Sequence, residues 1–273
     1  FIGKDNIPFH TIIFPALLLG SHENYSLPWN VSATEFLQFK GEAFSKSRRI
    51  GIFIDEALEL FPADYWRYFL TATRPETKDT NFSWKLFIEK VNADLNDTLG
   101  NFIHRTLKFI NSQFNSEVPK PSCLSEDDKR VLKTLEERVE TIANEIEDCR
   151  LQSAANNVVS IGRIGNQYLN KKEPWNVIKK DRDKAANTIY VAAQIVKTLA
   201  LVSAPFVPFA AEELRRILNL PGSVHEQEWN EALKSLPAGH KIGEAMPMFG
   251  KIEDTNEKLV KLERVREKLS KVD

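Results

Sequence analysis

Cysteine is nearly absent: Cys123 and Cys149 are the only two in 273 residues. Two thiols cannot build a zinc ribbon or a disulfide scaffold, so the chain reads as one of a reducing, cytoplasmic compartment. An excess of either charge is lacking too. Lys and Arg total 37, Asp and Glu total 38, and the formal net charge is −1. That excludes a wholesale polybasic nucleic-acid binder and leaves a local patch open. No apolar run reaches the ~18 residues of a membrane span, so no membrane partner is expected; Ile12-Ile13-Phe14-Pro15-Ala16-Leu17-Leu18-Leu19 is too short. Internal repeats and low-complexity tracts are missing. The chain opens on Phe1-Ile2-Gly3-Lys4-Asp5, without an initiator Met or a positively charged leader. The expectation is a piece of a longer polypeptide with no secretory signal.

What is present is ordinary globular composition, 42% hydrophobic and 27% charged, enough for one large domain or two modest ones. Residues 1–54 carry mixed α/β punctuation. Pro8 suits a first helical turn, Phe9, Ile12, Ile13, Leu17 and Leu18 fit a helical apolar face, and Pro15 would kink it. Phe36, Leu37 and Phe39 suggest a strand, and Ile50 to Ile54 is a second short apolar run beyond the charged loop from Lys40 to Arg49. From Asp55 the pattern turns helical. Asp55 and Pro62 can start two short helices, and Pro75 to Asn81 reads as a break. Apolar residues from Ile88 to Ile110 predict one long helix after Ser83, spanning on the order of 40 Å. Ser125-Glu126-Asp127-Asp128 resembles a capping box. Further helices are expected around Ala154–Tyr168, Ala185–Ala204 and Phe209–Leu218. Glu257 to Lys271 reads as a solvated helix or linker.

Three constellations have chemical meaning. In Phe44-Ser45-Lys46-Ser47-Arg48-Arg49, three cations stand near two hydroxyls, a composition suited to polyphosphate; composition alone favours a solvated basic loop. Gly3 and Asp5 precede Phe9, His10 and Phe14. Gly after a strand lets a ligand approach the backbone, and Asp beyond a strand end often meets a ribose hydroxyl; a satisfied His beside core aromatics is the plainer reading. Asn101 and Arg105 lie four apart on the polar side of the long helix, and Trp175 follows Pro174 at a helix junction. An amide, a guanidinium and an indole are groups that read and stack unpaired bases. Spacing alone favours a solvated face and an interface Trp.

Taken in order, these segments resemble methionyl-tRNA synthetase, a class I aminoacyl-tRNA ligase, in its archaeal or eukaryotic form. The resemblance is borne by Phe1-Ile2-Gly3-Lys4-Asp5-Asn6-Ile7-Pro8-Phe9-His10, Phe44-Ser45-Lys46-Ser47-Arg48 and Phe61-Pro62-Ala63-Asp64-Tyr65. It continues through Val91-Asn92-Ala93-Asp94-Leu95, Leu99-Gly100-Asn101-Phe102, Pro174-Trp175, His240-Lys241-Ile242 and Lys251-Ile252-Glu253-Asp254. It implies a mainly α chain: the C-terminal part of a Rossmann-type α/β catalytic domain, then an antiparallel helical-bundle anticodon-binding domain. The implied parts are 1–54, the second half of the catalytic domain; 55–82, a stem-contact region; 83–235, the anticodon-binding domain; and 236–273, a C-terminal segment and linker helix.

The resemblance also implies roles. Lys46, with Ser45 and Ser47, would stabilise the leaving pyrophosphate. Gly3, Asp5 and Lys46 would hold ATP or adenylate, and Phe9, His10 and Phe14 would wall the methionine side chain, whose thioether suits aromatic surroundings. Asn101, Arg105 and Trp175 would recognise a CAU anticodon. ATP with Mg2+, methionine and tRNA(Met) would be the substrates. No metal site is expected in these residues, because zinc and the His-Ile-Gly-His motif belong to an upstream catalytic half, joined covalently or as a split subunit. Two departures stand out: Ala43 replaces the first Lys of the family's loop, and Arg49 stands where Gly is common. The leading expectation is a partial methionine–tRNA ligase; the alternative is a non-catalytic tRNA-binding module of the same descent.

Overall fold

The structure, a computed structural model, describes residues 4–45, 47–48 and 50–253. Gly3, Lys46, Arg49 and the charged segment 257–271 lie outside the described residues. The chain divides into two units, Phe1–Phe53 with Thr73–Trp84, and Ile54–Ala72 with Lys85–Asp273.

The first unit is assembled from short pieces. A 3-10 turn, Lys4–Asn6, precedes a π-helical stretch, Phe9–Ile13, which runs into helix α1, Phe14–Gly20. Pro15 stands in the first turn of α1 and, lacking an N–H, cannot donate back into the preceding π-helical stretch. The expected apolar face is helical, yet none of its residues is buried. Strands β1, Leu37–Phe39, and β2, Glu42–Ala43, form an antiparallel hairpin with Gln38 opposite Ala43. Lys40 and Gly41 make its turn at φ 52° and 84°, the pair of positive values a type I′ turn requires. Strand β3, Thr80–Phe82, pairs parallel to the other edge of β1. The rings of Phe39 and Phe82 stack there, centroids 5.7 Å apart.

The short apolar run from Ile50 to Ile54 is divided between two elements: Ile50 bridges to Ser45, and Ile54 opens helix α2, Ile54–Leu60. The break from Pro75 to Asn81 runs into β3. A three-residue strand paired with a distant partner leaves too little periodicity to read.

In the second unit, α2 is followed by α3, Ala63–Ala72, which buries Tyr65, Trp66, Tyr68 and Phe69. α2 starts one residue before Asp55, which therefore sits in its first turn instead of capping it. The long helix foreseen after Ser83 forms as three consecutive stretches: α4, Trp84–Val91, a π-helical segment, Asn92–Gly100, and α5, Asn101–Gln113. Val91, Gly100 and Asn101 all keep right-handed helical angles, so the rod is continuous but wider in its middle. α6, Glu126–Glu147, opens on the capping box: the Ser125 hydroxyl accepts from the Asp128 N–H, and the Asp128 carboxylate accepts from the Ser125 N–H. α7, Leu151–Lys172, ends at Glu173, and the short α8, Pro174–Val177, follows at once. α9, Arg182–Val202, is the central helix and α10, Pro208–Ile217, packs on it. Asp64 of α3 caps α10, accepting from the N–H groups of Phe209 at 3.3 Å and Ala210 at 2.7 Å.

Among the described residues α9 is the one helix long and apolar enough to cross a membrane by length and composition, and 89% of that window is buried in the protein. Asn187, Gln194 and Lys197 interrupt its apolar sequence, so no unbroken run shows. Those polar groups grip neighbouring backbone. Gln194 donates to the carbonyl of Leu236 at 3.0 Å, Thr198 donates to Ala232 at 2.9 Å, and Lys197 donates to the carbonyl of Glu231. Burial pulls the Lys197 ammonium down to about 8, with Arg215 and Lys234 adding to the fall and Glu231 opposing it.

The chain's last described segment returns along the rod. Asn111 donates to the carbonyl of Gly243 at 3.0 Å and accepts from the N–H of Ala245 at 2.8 Å. Asn96 donates to Phe249 at 2.8 Å. Asn92 donates to Ile252 at 2.7 Å and accepts from it at 2.8 Å. These amides pair with an extended backbone as a neighbouring strand would.

Candidate functional site

The first constellation lies in the loop after β2. Ser45 and Ile50 exchange two backbone hydrogen bonds of 2.9 Å, which close the loop that carries residues 46–49. The Ser45 hydroxyl accepts from the Arg48 N–H at 3.3 Å and lies 3.3 Å from the Ser47 hydroxyl. Arg48 pairs with Glu42 at 3.3 Å, both side chains well exposed. Gly51 follows at φ 131°, and a Cβ there would lie 2.4 Å from the Phe44 ring. The loop is thus pinned at its base, with Ser47 and Arg48 exposed. Lys46 falls outside the described residues.

Asp5 is exposed in the 3-10 turn. Phe9, His10 and Phe14 are exposed along one helical segment, Phe9 and Phe14 at 54% and 46%. The Phe14 N–H bonds the Phe9 carbonyl, a five-residue step that belongs to the wider π turn. Among the described residues no group of three His, Cys, Asp or Glu converges to hold a metal.

The second unit brings two distant residues together. The Arg105 guanidinium on α5 lies over the Trp175 indole on α8, 4.9 Å from the ring centroid. A cation over an indole face is held by the ring quadrupole, worth roughly 0.5–2 kcal/mol. Both side chains line a cavity of about 450 Å³ shared with His104, Lys108, Phe109, Ser112, Leu169, Pro174 and Ile189. Leu169, Pro174 and Ile189 supply an apolar wall; His104, Arg105, Lys108 and Ser112 supply polar groups. That mixture suits a flat, partly polar ligand. Burial pulls Arg105 below its ordinary value, but a guanidinium stays charged at neutral pH.

Arg105 is held from a third element. It donates to the side-chain oxygens of Asn166 at 3.4 Å and Asn170 at 3.0 Å, both on α7. Asn166 in turn donates to the carbonyl of Thr98 at 2.9 Å. Asn101 stands exposed one turn before Arg105 on α5. Sequence reasoning missed His104, Lys108, Phe109 and Ser112. The signal was available, because 101, 104, 105, 108, 109 and 112 follow the three- and four-residue steps of one helix face. Asn166 and Asn170 gave no signal, since polar residues on a helix read as solvated.

Beyond the pocket, the Arg182 guanidinium donates to the carbonyl of Gln113 at 2.7 Å and stacks over Phe114 at 4.9 Å. Asp181 caps α9 by accepting from the Lys184 N–H at 2.9 Å. Lys179 and Lys180 are exposed.

Comparison with known proteins bears on the whole chain. Residues 118–264 match the family model described as the anticodon binding domain of methionyl tRNA ligase. Residues 1–107 match that of tRNA synthetases class I (M). The chain belongs to the methionyl-tRNA ligase family. The cavity is therefore lined from both matched regions, Arg105 from one and Trp175 from the other. The methionine–tRNA ligase of Aeropyrum pernix is 47% identical over 255 residues, which make up 93% of this chain and 44% of that protein. The one from Ignicoccus hospitalis is 44% identical over 276 residues, covering 100% of this chain and 48% of its own. The chain thus spans about half the length of the curated relatives it matches. Among solved structures, a Mycobacterium tuberculosis methionyl-tRNA synthetase in complex with methionyl-adenylate superposes with a TM-score of 0.83 at 25% identity. It covers 91% of this chain and 49% of that one. The apo form of that enzyme gives 0.82 at 24%, covering 92% and 49%. The mostly helical fold with a small three-stranded sheet is that of this family.

Proposed function

We propose that this chain is the portion of a cytoplasmic methionine–tRNA ligase that reads the anticodon and presents the phosphate-facing loop of methionine activation. The observation that carries the reading is the Arg105–Trp175 pair lining one cavity, in a chain of this family. An indole offers a stacking platform for an unpaired base, and a guanidinium offers donors to its edge. In this reading Asn101, exposed one turn away on the same helix, meets a neighbouring base of a CAU loop.

In this reading residues 1–54 are the second half of a Rossmann-type domain and 55–82 a stem-contact region. Residues 83–235 form an antiparallel anticodon-binding bundle, and 236–273 the C-terminal segment. The substrates are methionine, ATP with Mg2+ and tRNA(Met). A methionine carboxylate oxygen attacks the α-phosphate, the bond to pyrophosphate breaks, and Lys46 neutralises the departing charge beside Ser45 and Ser47. A terminal ribose hydroxyl of the tRNA then attacks the activated carbonyl and AMP leaves. Gly3 and Asp5 hold the adenosine, and Phe9, His10 and Phe14 wall the methionine. The rest of the active site, zinc included, is assigned to an upstream half.

The second reading, a tRNA-binding module without catalysis, draws on Ala43, which lies exposed in β2, and on the ion pair that engages Arg48 with Glu42. The test is titration of the chain with stem-loop RNAs carrying CAU or a scrambled loop, and methionine-dependent ATP–pyrophosphate exchange by the chain rejoined to an upstream half. CAU preference with exchange supports the ligase. CAU preference without exchange supports the module, and no preference removes both.

A further inference from the structure

Arg105 is held by amides, not by acids. Its two hydrogen bonds go to the side-chain oxygens of Asn166 and Asn170, and no ion pair engages it among the described residues. The two Asn residues are four apart on α7, so they present neighbouring acceptors to α5. Asn166 cannot turn freely, because its amide nitrogen donates to the Thr98 carbonyl in the π-helical segment at 2.9 Å. That bond fixes which end of the amide faces the guanidinium. With the guanidinium carbon 4.9 Å from the Trp175 ring centroid and two of its nitrogens on the asparagines, the guanidinium is constrained in position. A neutral acceptor leaves its full charge for a ligand, whereas a carboxylate in the same place would cancel much of it.

We propose that Asn166 and Asn170 are positioning residues that hold Arg105 over Trp175 without neutralising it, and that they set the discrimination between loop sequences. The inference rests on the reading that this cavity takes an unpaired anticodon base. A donor array fixed in advance loses little entropy on meeting the right base edge, and a wrong edge finds donors that cannot follow it. A loosened guanidinium accommodates both, so the ratio between cognate and non-cognate binding falls further than cognate affinity does.

The experiment uses the full chain and two stem-loop RNAs, one carrying CAU and one scrambled, at fixed salt. Asn170 is exposed, so Asn170→Ala is expected to melt with the parent. It is expected to lower the CAU-to-scrambled ratio about tenfold, and Asn166→Ala is expected to act in the same direction. In an Arg105→Ala background Asn170→Ala should change the ratio by less than about twofold, because the group it positions is gone. Asn170→Asp should weaken both RNAs by cancelling the charge. An Asn170→Ala ratio within about twofold of the parent overturns the proposal, as does an equal fall in the Arg105→Ala background. Undiminished binding by Asn170→Asp overturns it too. If the parent itself shows no CAU preference, the reading of the cavity fails first, and the two failures are told apart by that control.

Discussion

Gly165 of α7 lies hard against the ring of Phe102 on α5: a Cβ built on it would sit 2.4 Å from the ring. Phe102 is fully buried, so neither side can give way without moving a helix. Gly162, one turn earlier, faces Leu99 at 2.7 Å in the same manner. Two glycines thus set the distance between the helix that carries Arg105 and the helix that carries its asparagine partners. Gly165→Ala gains about 1 kcal/mol of helix propensity but overpacks a closed contact, which costs about 1–3 kcal/mol. The net expectation is destabilisation, read as a lower midpoint in urea, together with weaker CAU discrimination. A more stable variant would show that the contact relaxes.

Trp175→Ala removes the stacking platform. Loss of one base–aromatic stack is worth roughly 1–3 kcal/mol, so CAU loop binding is expected to weaken by about that amount while the scrambled loop changes less. Equal titration curves for parent and variant would place the base elsewhere.

Lys197 gives a prediction in pH. Its folded value, about 8, lies below the ordinary lysine value of about 10.4. Where the unfolded chain holds a proton that the folded chain has released, stability rises with pH. This residue therefore withholds stability below pH ~8 and restores it between ~8 and ~10. Lys197→Met is expected to raise stability at pH 7 by on the order of 2 kcal/mol, offset in part by the lost bond to Glu231, and to flatten that window. Parallel urea midpoints of parent and variant from pH 7 to 10 would refute the shift.

The loop after β2 is tested in the rejoined enzyme. Lys46→Ala is expected to slow adenylate formation by about 3–4 kcal/mol, roughly a hundred- to thousand-fold, with little change in methionine affinity. Ala43 lies exposed on β2 opposite Gln38, so Ala43→Lys places a second cation on the approach to the loop and should raise the rate. A Lys46→Ala rate within about twofold of the parent removes that lysine from the chemistry.

Much of the second unit was legible because its helices are long and amphipathic. Ser125 announced α6, and the spacing from Ile88 to Ile110 announced the rod. The sheet was not legible: β2 is two residues long, and β3 acquires its identity only by pairing with β1. The expected helix over Ala185–Ala204 corresponds closely to α9, but the burial of Lys197 was not legible, since a lysine marks a solvated face until a buried carbonyl is found to receive it. In the pocket, Arg105 and Trp175 were separately visible as residue types, but their meeting depends on the turn from α7 into α8 at Glu173, whose φ is 42°. No local pattern specifies that meeting. The partners of Arg105 were invisible for the same reason: the bonds it donates to Asn166 and Asn170 run between helices that are far apart in sequence.

The π-helical segment between α4 and α5 acts as a phase setter. Everything after Gly100 inherits its angular position from those wider turns, including Asn101, Arg105 and Lys108. An α-helix advances about 100° per residue, so deleting a single residue within 92–100 while the wider turns persist would swing α5 by roughly a quarter turn. Arg105 would rotate away from Trp175 and Thr106 would take its bearing. Insertions and deletions in this segment are therefore changes of aim, and a substitution that merely keeps the chain length leaves the aim intact.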